Sequence, residues 1–133
     1  MPPTVKLHVA IYHSGVYKHW SLFVEGATDS EKIILHAMGS STRYRFEMRN
    51  SNARESKSLA ELVYLCDVPA FKVEAIKDTA KNAVIHNEFA GYNCQDYVLE
   101  LLDDLEAEGI IDGGDATYAA NKASVKGKQE GLA

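Results

Sequence analysis

Apolar and polar residues alternate through the first half of the chain, with the period of two that is typical of β-strands. Residues 6–12 show it well, since Leu7, Val9 and Ile11 fall on one face. Similar runs occupy 17–24, 32–38, 44–48 and 59–66, separated by glycine-containing turns and by the polar stretch 50–58. The pattern predicts five strands that form an antiparallel meander.

The second half changes to helical spacing. A first helix is predicted from Pro69, a residue favoured in the first helical turn, to about His86. A second begins at Cys94 and carries an apolar face made of Val98, Leu101, Leu102 and Leu105. Small and polar residues then predict a weakly ordered tail over 113–133, which leaves 1–112 as the folded domain. The expected fold class is α+β, a small antiparallel sheet packed against two helices.

Charge and composition argue against a nucleic-acid-binding protein and against a membrane-spanning one. The chain of 133 residues carries 14 basic and 19 acidic residues, a net charge of -5, whereas nucleic-acid-binding domains usually have a basic surface. The N-terminal residues contain no apolar run suited to a signal peptide, and no segment approaches the ~20 apolar residues that span a bilayer. We therefore expect a cytoplasmic domain with no nucleic-acid partner and no integral membrane association.

Cys94 is the most informative residue for chemistry. A helix N-terminus presents unpaired N–H groups and a partial positive charge, which favour a thiolate and can also stabilise an oxyanion. The alternative is that Cys94 is a small buried apolar residue, as many cysteines are. Cys66 lies within an apolar run of a predicted strand, so we expect it to be a buried residue of the core with no chemical role.

A thiol nucleophile needs a base, and His19 and His36 lie in the middle of neighbouring predicted strands. If these strands pair as a hairpin, the two imidazoles approach each other, and His36 can orient His19 towards the sulfur. The alternative is that each histidine is an ordinary core or surface residue. No phosphate-binding loop, zinc spacing or calcium loop is found, so neither a metal nor a cofactor is expected.

Three short motifs resemble one superfamily. Residues 17–24, Tyr-Lys-His-Trp-Ser-Leu-Phe-Val, resemble a histidine strand of the lecithin:retinol acyltransferase-like proteins, and Ile34-Leu35-His36 is similar to their following strand. Asn93-Cys94-Gln95-Asp96-Tyr97 resembles the cysteine helix of those proteins and of the PPPDE isopeptidases. Histidine strands before a cysteine helix are the order of circularly permuted papain-like (NlpC-type) domains.

The resemblance implies a permuted papain-like topology and a triad. In it Cys94 is the nucleophile, His19 the general base and His36 the orienting residue. It also implies that Tyr17, Asn93 and Gln95 lie beside the oxyanion or the substrate. The implied activity is that of a cysteine hydrolase of the peptidase, amidase or thioesterase type, acting through an acyl-enzyme on a peptide, amide or acyl substrate.

Two alternatives remain open at this point. One is an acyltransferase or phospholipase that acts on lipids, and the other is a catalytically silent interaction module on the same scaffold. Gln95-Asp96 stands where the acyltransferases have Glu-His, and the apolar C-terminal anchor of their membrane-acting members is replaced by the polar residues 113–133. These departures favour a soluble amide, peptide or thioester over a phospholipid.

Overall fold

A computed structural model describes residues 3–14 and 18–130. Five strands form one antiparallel sheet: β1 (Thr4–Tyr12), β2 (His19–Glu25), β3 (Lys32–Met38), β4 (Arg45–Asn50) and β5 (Leu59–Pro69). Three helices follow: α1 (Val73–Asn82), α2 (Cys94–Ala107) and α3 (Ala116–Lys126). The predicted α+β class is confirmed.

The sheet is not a complete meander. Its strand order is β4-β3-β2-β1-β5, so the first four strands follow one another but β5 returns to pair with β1. Both neighbours of β1 are therefore antiparallel strands, so β1 is an interior strand beside the central strand β2. Alternating apolar residues predict that a strand exists, but they do not say which edge of the sheet it joins.

Two expectations about the second half were wrong. Pro69 ends β5 instead of starting a helix, and α1 begins only at Val73, after a short 3₁₀ turn. Within the expected tail, α3 is an ordered helix that packs on β5 and buries Tyr118 and Val125. Asp115 caps it by accepting the Tyr118 N–H, so a short polar segment with two buried apolar residues is sufficient for a docked helix.

The two faces of the sheet are covered differently. One face contributes the alternate residues of β1 to β3 to the main core, where they meet the apolar stripe of α2. The opposite face carries Tyr12, Phe23 and Ile34, which pack against Ala53 in a smaller cluster. Because neighbouring strand residues point to opposite faces, His19 and His36 lie on the side of this smaller cluster.

Strands β2 and β3 separate where their histidines are. Their pairing runs from Glu25↔Lys32 to Leu22↔Leu35, so His19 and His36 both lie beyond the last bonded pair. The first residue of α2, Cys94, reaches the sheet near this opening, where the backbone N–H of Trp20 approaches its sulfur. The opening allows a helix on one face to bring a side chain close to residues of the other.

Candidate active site

Cys94, His19 and His36 line one cleft of about 600 Å³. Its volume is in the range of ordinary small-molecule sites. More than half of the other lining residues carry a hydroxyl group, namely Tyr12, Tyr44, Ser14, Ser40, Ser41, Ser51, Ser56 and Ser58. The structure thus brings together the three residues that the sequence singles out for a triad.

Asn93 and Asp96 fix the position of Cys94 on α2. Asn93 is the N-cap, and its Oδ1 accepts the Gln95 N–H at 2.8 Å. Asp96 completes a capping box by accepting the Asn93 N–H at 2.9 Å. Cys94 is therefore the first residue in helical conformation. Asn93 is expected beside the oxyanion or the substrate, and its side-chain oxygen is engaged in capping the helix.

The thiol of Cys94 is almost wholly buried, with 2% of its surface exposed. Burial raises the pKa of this thiol, although the backbone N–H groups of Trp20, Cys94 and Gln95 oppose the shift. The N–H groups at the helix N-terminus lower the pKa of Cys94, as expected, but desolvation raises it by more. At neutral pH the sulfur is a thiol rather than the thiolate that helix position alone suggests.

The two histidines and Glu47 form a chain of hydrogen bonds. His19 Nε2 lies 2.8 Å from His36 Nδ1, and His36 Nε2 lies 2.9 Å from Glu47 Oε1. Glu47 faces His36 directly across the β3–β4 pair. The hydrogen bond from His36, followed by one from Arg49, lowers the pKa of the Glu47 carboxyl, which keeps it ionised.

This chain assigns the tautomer of each ring. A carboxylate only accepts, so Nε2 of His36 must donate to Glu47, and Nδ1 of neutral His36 is then an acceptor. That acceptor takes the Nε2–H of His19, which leaves the lone pair of neutral His19 on Nδ1. The unprotonated nitrogen is thus the one that makes no bond to His36.

Both rings are neutral at pH 7. Burial lowers the pKa of His19 to about 4, and repulsion from His36 adds to this effect. Burial also lowers the pKa of His36, against the opposing hydrogen bond to Glu47. Among the hydrogen bonds of the described residues, none joins Cys94 Sγ to His19, so the resting pair is a neutral thiol and a neutral imidazole that share a cleft.

The side chain of Gln95 makes structural hydrogen bonds, whereas its backbone N–H acts on the Cys94 sulfur. Gln95 is fully buried, and its Nε2 donates to the Lys18 carbonyl at 2.8 Å. Its Oε1 accepts the Glu130 N–H at 2.7 Å, and the Glu130 carboxylate accepts the Lys18 N–H at 2.9 Å. These three hydrogen bonds, here called the C-terminal clamp, join the neighbours of His19 and Cys94. The role expected for Gln95 beside the oxyanion or the substrate stays a prediction, and Tyr17 lies outside the described residues.

Sequence reasoning missed Glu47 and Glu130. Glu47 sits in a strand of ordinary alternation, and only the register of β4 against β3 reveals its contact with His36. Glu130 lies 35 residues beyond Gln95 in a segment with no apolar pattern. Neither carries a local motif, so no signal in a single sequence identifies them.

Other reactive side chains lie elsewhere. Cys66 is half-buried on β5 and lines a separate cavity with Tyr118, and burial raises its pKa to about 11. Within 3–14 and 18–130, no three histidine, cysteine or acidic residues are grouped to hold a metal ion. In the same ranges no helix has the length and apolar character needed to cross a membrane.

The fold and the cleft define a class: a small α+β domain in which a buried cysteine at the first position of a helix shares a cleft with a His–His–Glu chain. The chain belongs to DUF6540, a family of unknown function, which it matches over residues 7–112. No curated protein and no solved structure matches it. The match includes Cys94, His19, His36 and Glu47 but ends before α3 and the C-terminal clamp residue Glu130.

Proposed function

We propose that this protein is a cysteine hydrolase of the permuted papain-like type, with Cys94 as nucleophile and His19 as general base. The observation that carries the proposal is the chain from His19 through His36 to Glu47, which leaves Nδ1 of His19 as a proton acceptor in the cleft that Cys94 lines. A histidine held in one tautomer by a hydrogen-bonded partner is the arrangement that general-base catalysis requires.

The first half-reaction forms an acyl-enzyme. As Cys94 Sγ attacks the substrate carbonyl carbon, its proton passes to Nδ1 of His19, and the carbonyl oxygen becomes an oxyanion. The backbone N–H groups of Trp20 and Cys94 lie beside the sulfur and are the donors available for that oxyanion. Collapse of the intermediate breaks the bond to the leaving group, which takes the proton from His19, and a thioester remains on Cys94.

The second half-reaction restores the thiol. Water gives a proton to His19 Nδ1 as its oxygen attacks the thioester carbonyl, and the thiolate that leaves recovers that proton. The pKa of about 4 for His19 means that the ring gives up the proton readily to either leaving group. A neutral starting pair requires proton transfer during attack, as in serine hydrolases, instead of a pre-formed thiolate–imidazolium pair.

The hydroxyl groups of the cleft favour an amide, peptide or thioester substrate. The tyrosine and serine hydroxyl groups of its wall offer hydrogen-bond partners to a polar ligand. Hydrolysis and acyl transfer differ only in whether water or another acceptor attacks the thioester.

Trapping the acyl-enzyme tests the proposal. The protein is mixed with p-nitrophenyl acetate and with an acetyl thioester, and peptide mass spectrometry follows acetylation of each cysteine. We expect acetyl-Cys94 to form and then decay, and His19→Gln to slow both steps. Cys66→Ala is the matched control because it removes the other thiol and should leave the kinetics unchanged. If Cys94 acylates no faster than Cys66, the protein is a silent interaction module.

A further inference from the structure

The charge of the cleft differs from that of the whole protein. Although the chain carries a net charge of -5, the cleft wall built from the described residues contains Arg49 and no carboxylate. The histidines on the wall that belong to the triad are neutral at pH 7, since burial lowers the pKa of both. Arg49 is thus the fixed charge that a ligand in the cleft meets.

Arg49 is only partly engaged by the protein. Its Nε–H donates to Glu47 Oε1, the same oxygen that accepts from His36. Within 3–14 and 18–130, its two terminal NH₂ groups make no hydrogen bond. A guanidinium with a free pair of NH₂ groups suits a carboxylate, which it can bind through two parallel hydrogen bonds.

The ionised carboxyl of Glu47 offsets only part of this charge for a ligand. Glu47 accepts hydrogen bonds from His36 Nε2 and Arg49 Nε but does not line the cleft, so the terminal NH₂ groups of Arg49 remain charged donors on the wall. Other acidic groups, Asp29 and Glu55, belong to a neighbouring shallow cavity that shares only Ser51 and Ser56 with the cleft. The Arg49 side chain is 59% exposed, so its attraction for an anion is moderated by solvent.

We propose that the cleft accepts acyl substrates that carry an anionic group such as a carboxylate, and that Arg49 is the residue that selects them. This inference rests on the proposed hydrolase function, because Arg49 would bind the anionic group in the same cleft in which Cys94 attacks the carbonyl carbon. Arg49 acts in binding, and its effect is separable from the reactivity of the thiol. The serine hydroxyls of the wall complete the polar surroundings of such a group.

Charged thiol reagents of similar size test the selection. The thiolate of Cys94 displaces methanesulfinate from a methanethiosulfonate and forms a mixed disulfide, whether the reagent ends in a sulfonate, a hydroxyl or a trimethylammonium group. Peptide mass spectrometry gives the rate constant at Cys94 for each. We expect the anionic reagent to react faster than the cationic one, and Arg49→Gln to reduce this ratio about three- to tenfold.

Two variants make the comparison specific. Arg45→Gln removes the same charge from the same face of β4, but Arg45 does not line the cleft, so the ratio should stay near the wild-type value. Arg49→Lys keeps the charge and should retain most of the preference. Equal reduction by Arg45→Gln and Arg49→Gln, or a wild-type ratio at or below one, would overturn the proposal.

A binding measurement removes the dependence on thiol chemistry. Glutarate and glutaramide have the same shape but differ in charge, and backbone NMR shifts report binding of each. We expect glutarate to shift the amides of the cleft and glutaramide to do so more weakly, with the difference lost in Arg49→Gln. Equal binding of both compounds contradicts selection of anions. If glutarate binds selectively but Cys94 is not acylated by esters or thioesters, the hydrolase proposal fails and the anion site stands.

Discussion

His19 and His36 share a hydrogen bond whose direction is set by a third residue. The 2.8 Å contact joins Nε2 of His19 to Nδ1 of His36, and Glu47 holds the far side of His36 as a donor. The lone pair of His19 is therefore fixed on Nδ1 without any contact between Glu47 and His19. One ring, that of His36, and one carboxylate, that of Glu47, thus orient His19 as a single aspartate orients the histidine of the serine protease triad.

Glu47 is expected to act through the tautomer it imposes. Glu47→Ala removes the acceptor of the His36 Nε2–H bond. His36 can then carry its proton on Nδ1, where it no longer accepts the Nε2–H of His19, so the tautomer of His19 is no longer fixed. We expect kcat to fall by about ten- to a hundredfold, less than the ~10⁴ lost when the residue that directly orients the base is replaced.

Glu47→Gln is the matched variant because its amide oxygen still accepts from His36. It should retain most of the wild-type kcat in an esterase assay, whereas Glu47→Ala should not. Equal losses in the two variants would assign the effect to the carboxylate charge and would contradict the tautomer explanation.

Replacement of His19 and replacement of His36 should reduce turnover by different amounts. His19→Ala removes the proton acceptor and should abolish turnover. His36→Asn leaves that acceptor present but poorly oriented, so a smaller loss is expected. Single-turnover acylation, measured by mass spectrometry, separates the two. The roles are reversed if the His36 variant is inactive while the His19 variant still acylates.

The pH dependence of the two cysteines follows from burial. Because burial raises the pKa of the Cys94 thiol, iodoacetamide alkylation should increase with pH to well above neutrality. Cys66, whose pKa is raised to about 11, should titrate at high pH as well. Turnover behaves differently, because it needs only neutral His19 and should persist down to about pH 4 to 5. A thiolate plateau at neutral pH for Cys94 would show that the helix N-terminus outweighs desolvation.

The sequence anticipates what is local. The strand at 32–38 and the helix start at Cys94 are found where the patterns predict them, because alternation, capping residues and glycine act over a few residues. The pairing of β5 with β1 is long-range and no local pattern contains it. The pKa of Cys94 likewise depends on how deeply the helix start is buried, so the motif alone gives the wrong direction.

Stability should decrease as the solution is acidified. Burial lowers the pKa of His19, His36 and His8 in the folded protein, whereas in the unfolded chain each returns towards its ordinary value of 6.5. Between pH 6.5 and about 4 the unfolded chain therefore binds more protons, and the free energy of unfolding falls with decreasing pH.

Urea unfolding at pH 7, 6, 5 and 4.5 measures this decrease. His19→Gln removes one of the three contributions and should make the dependence shallower over the same range. A midpoint that is constant from pH 7 to 4.5 would be inconsistent with neutral, buried histidines.

The C-terminal clamp should matter for activity more than for stability. Glu130→Ala removes the acceptor for the Lys18 N–H, which adjoins His19, while the Glu130 N–H can still reach Gln95, which adjoins Cys94. Loss of this one partly buried hydrogen bond costs about 1 kcal/mol of folding free energy. A shift of the base relative to the sulfur can lower kcat by up to about a hundredfold.

Two variants separate positioning from folding. Glu130→Gln keeps an oxygen that accepts from Lys18 and should restore kcat, and Lys128→Ala removes only the nearby surface ion pair with Glu61 and should leave kcat unchanged. Thermal unfolding measured on the same samples should show small changes in all three. If kcat of Glu130→Ala equals that of the wild type, the spacing of His19 and Cys94 is set by the sheet and α2 alone. If the loss of activity tracks the loss of stability across the three variants, the clamp is a folding element with no positioning role.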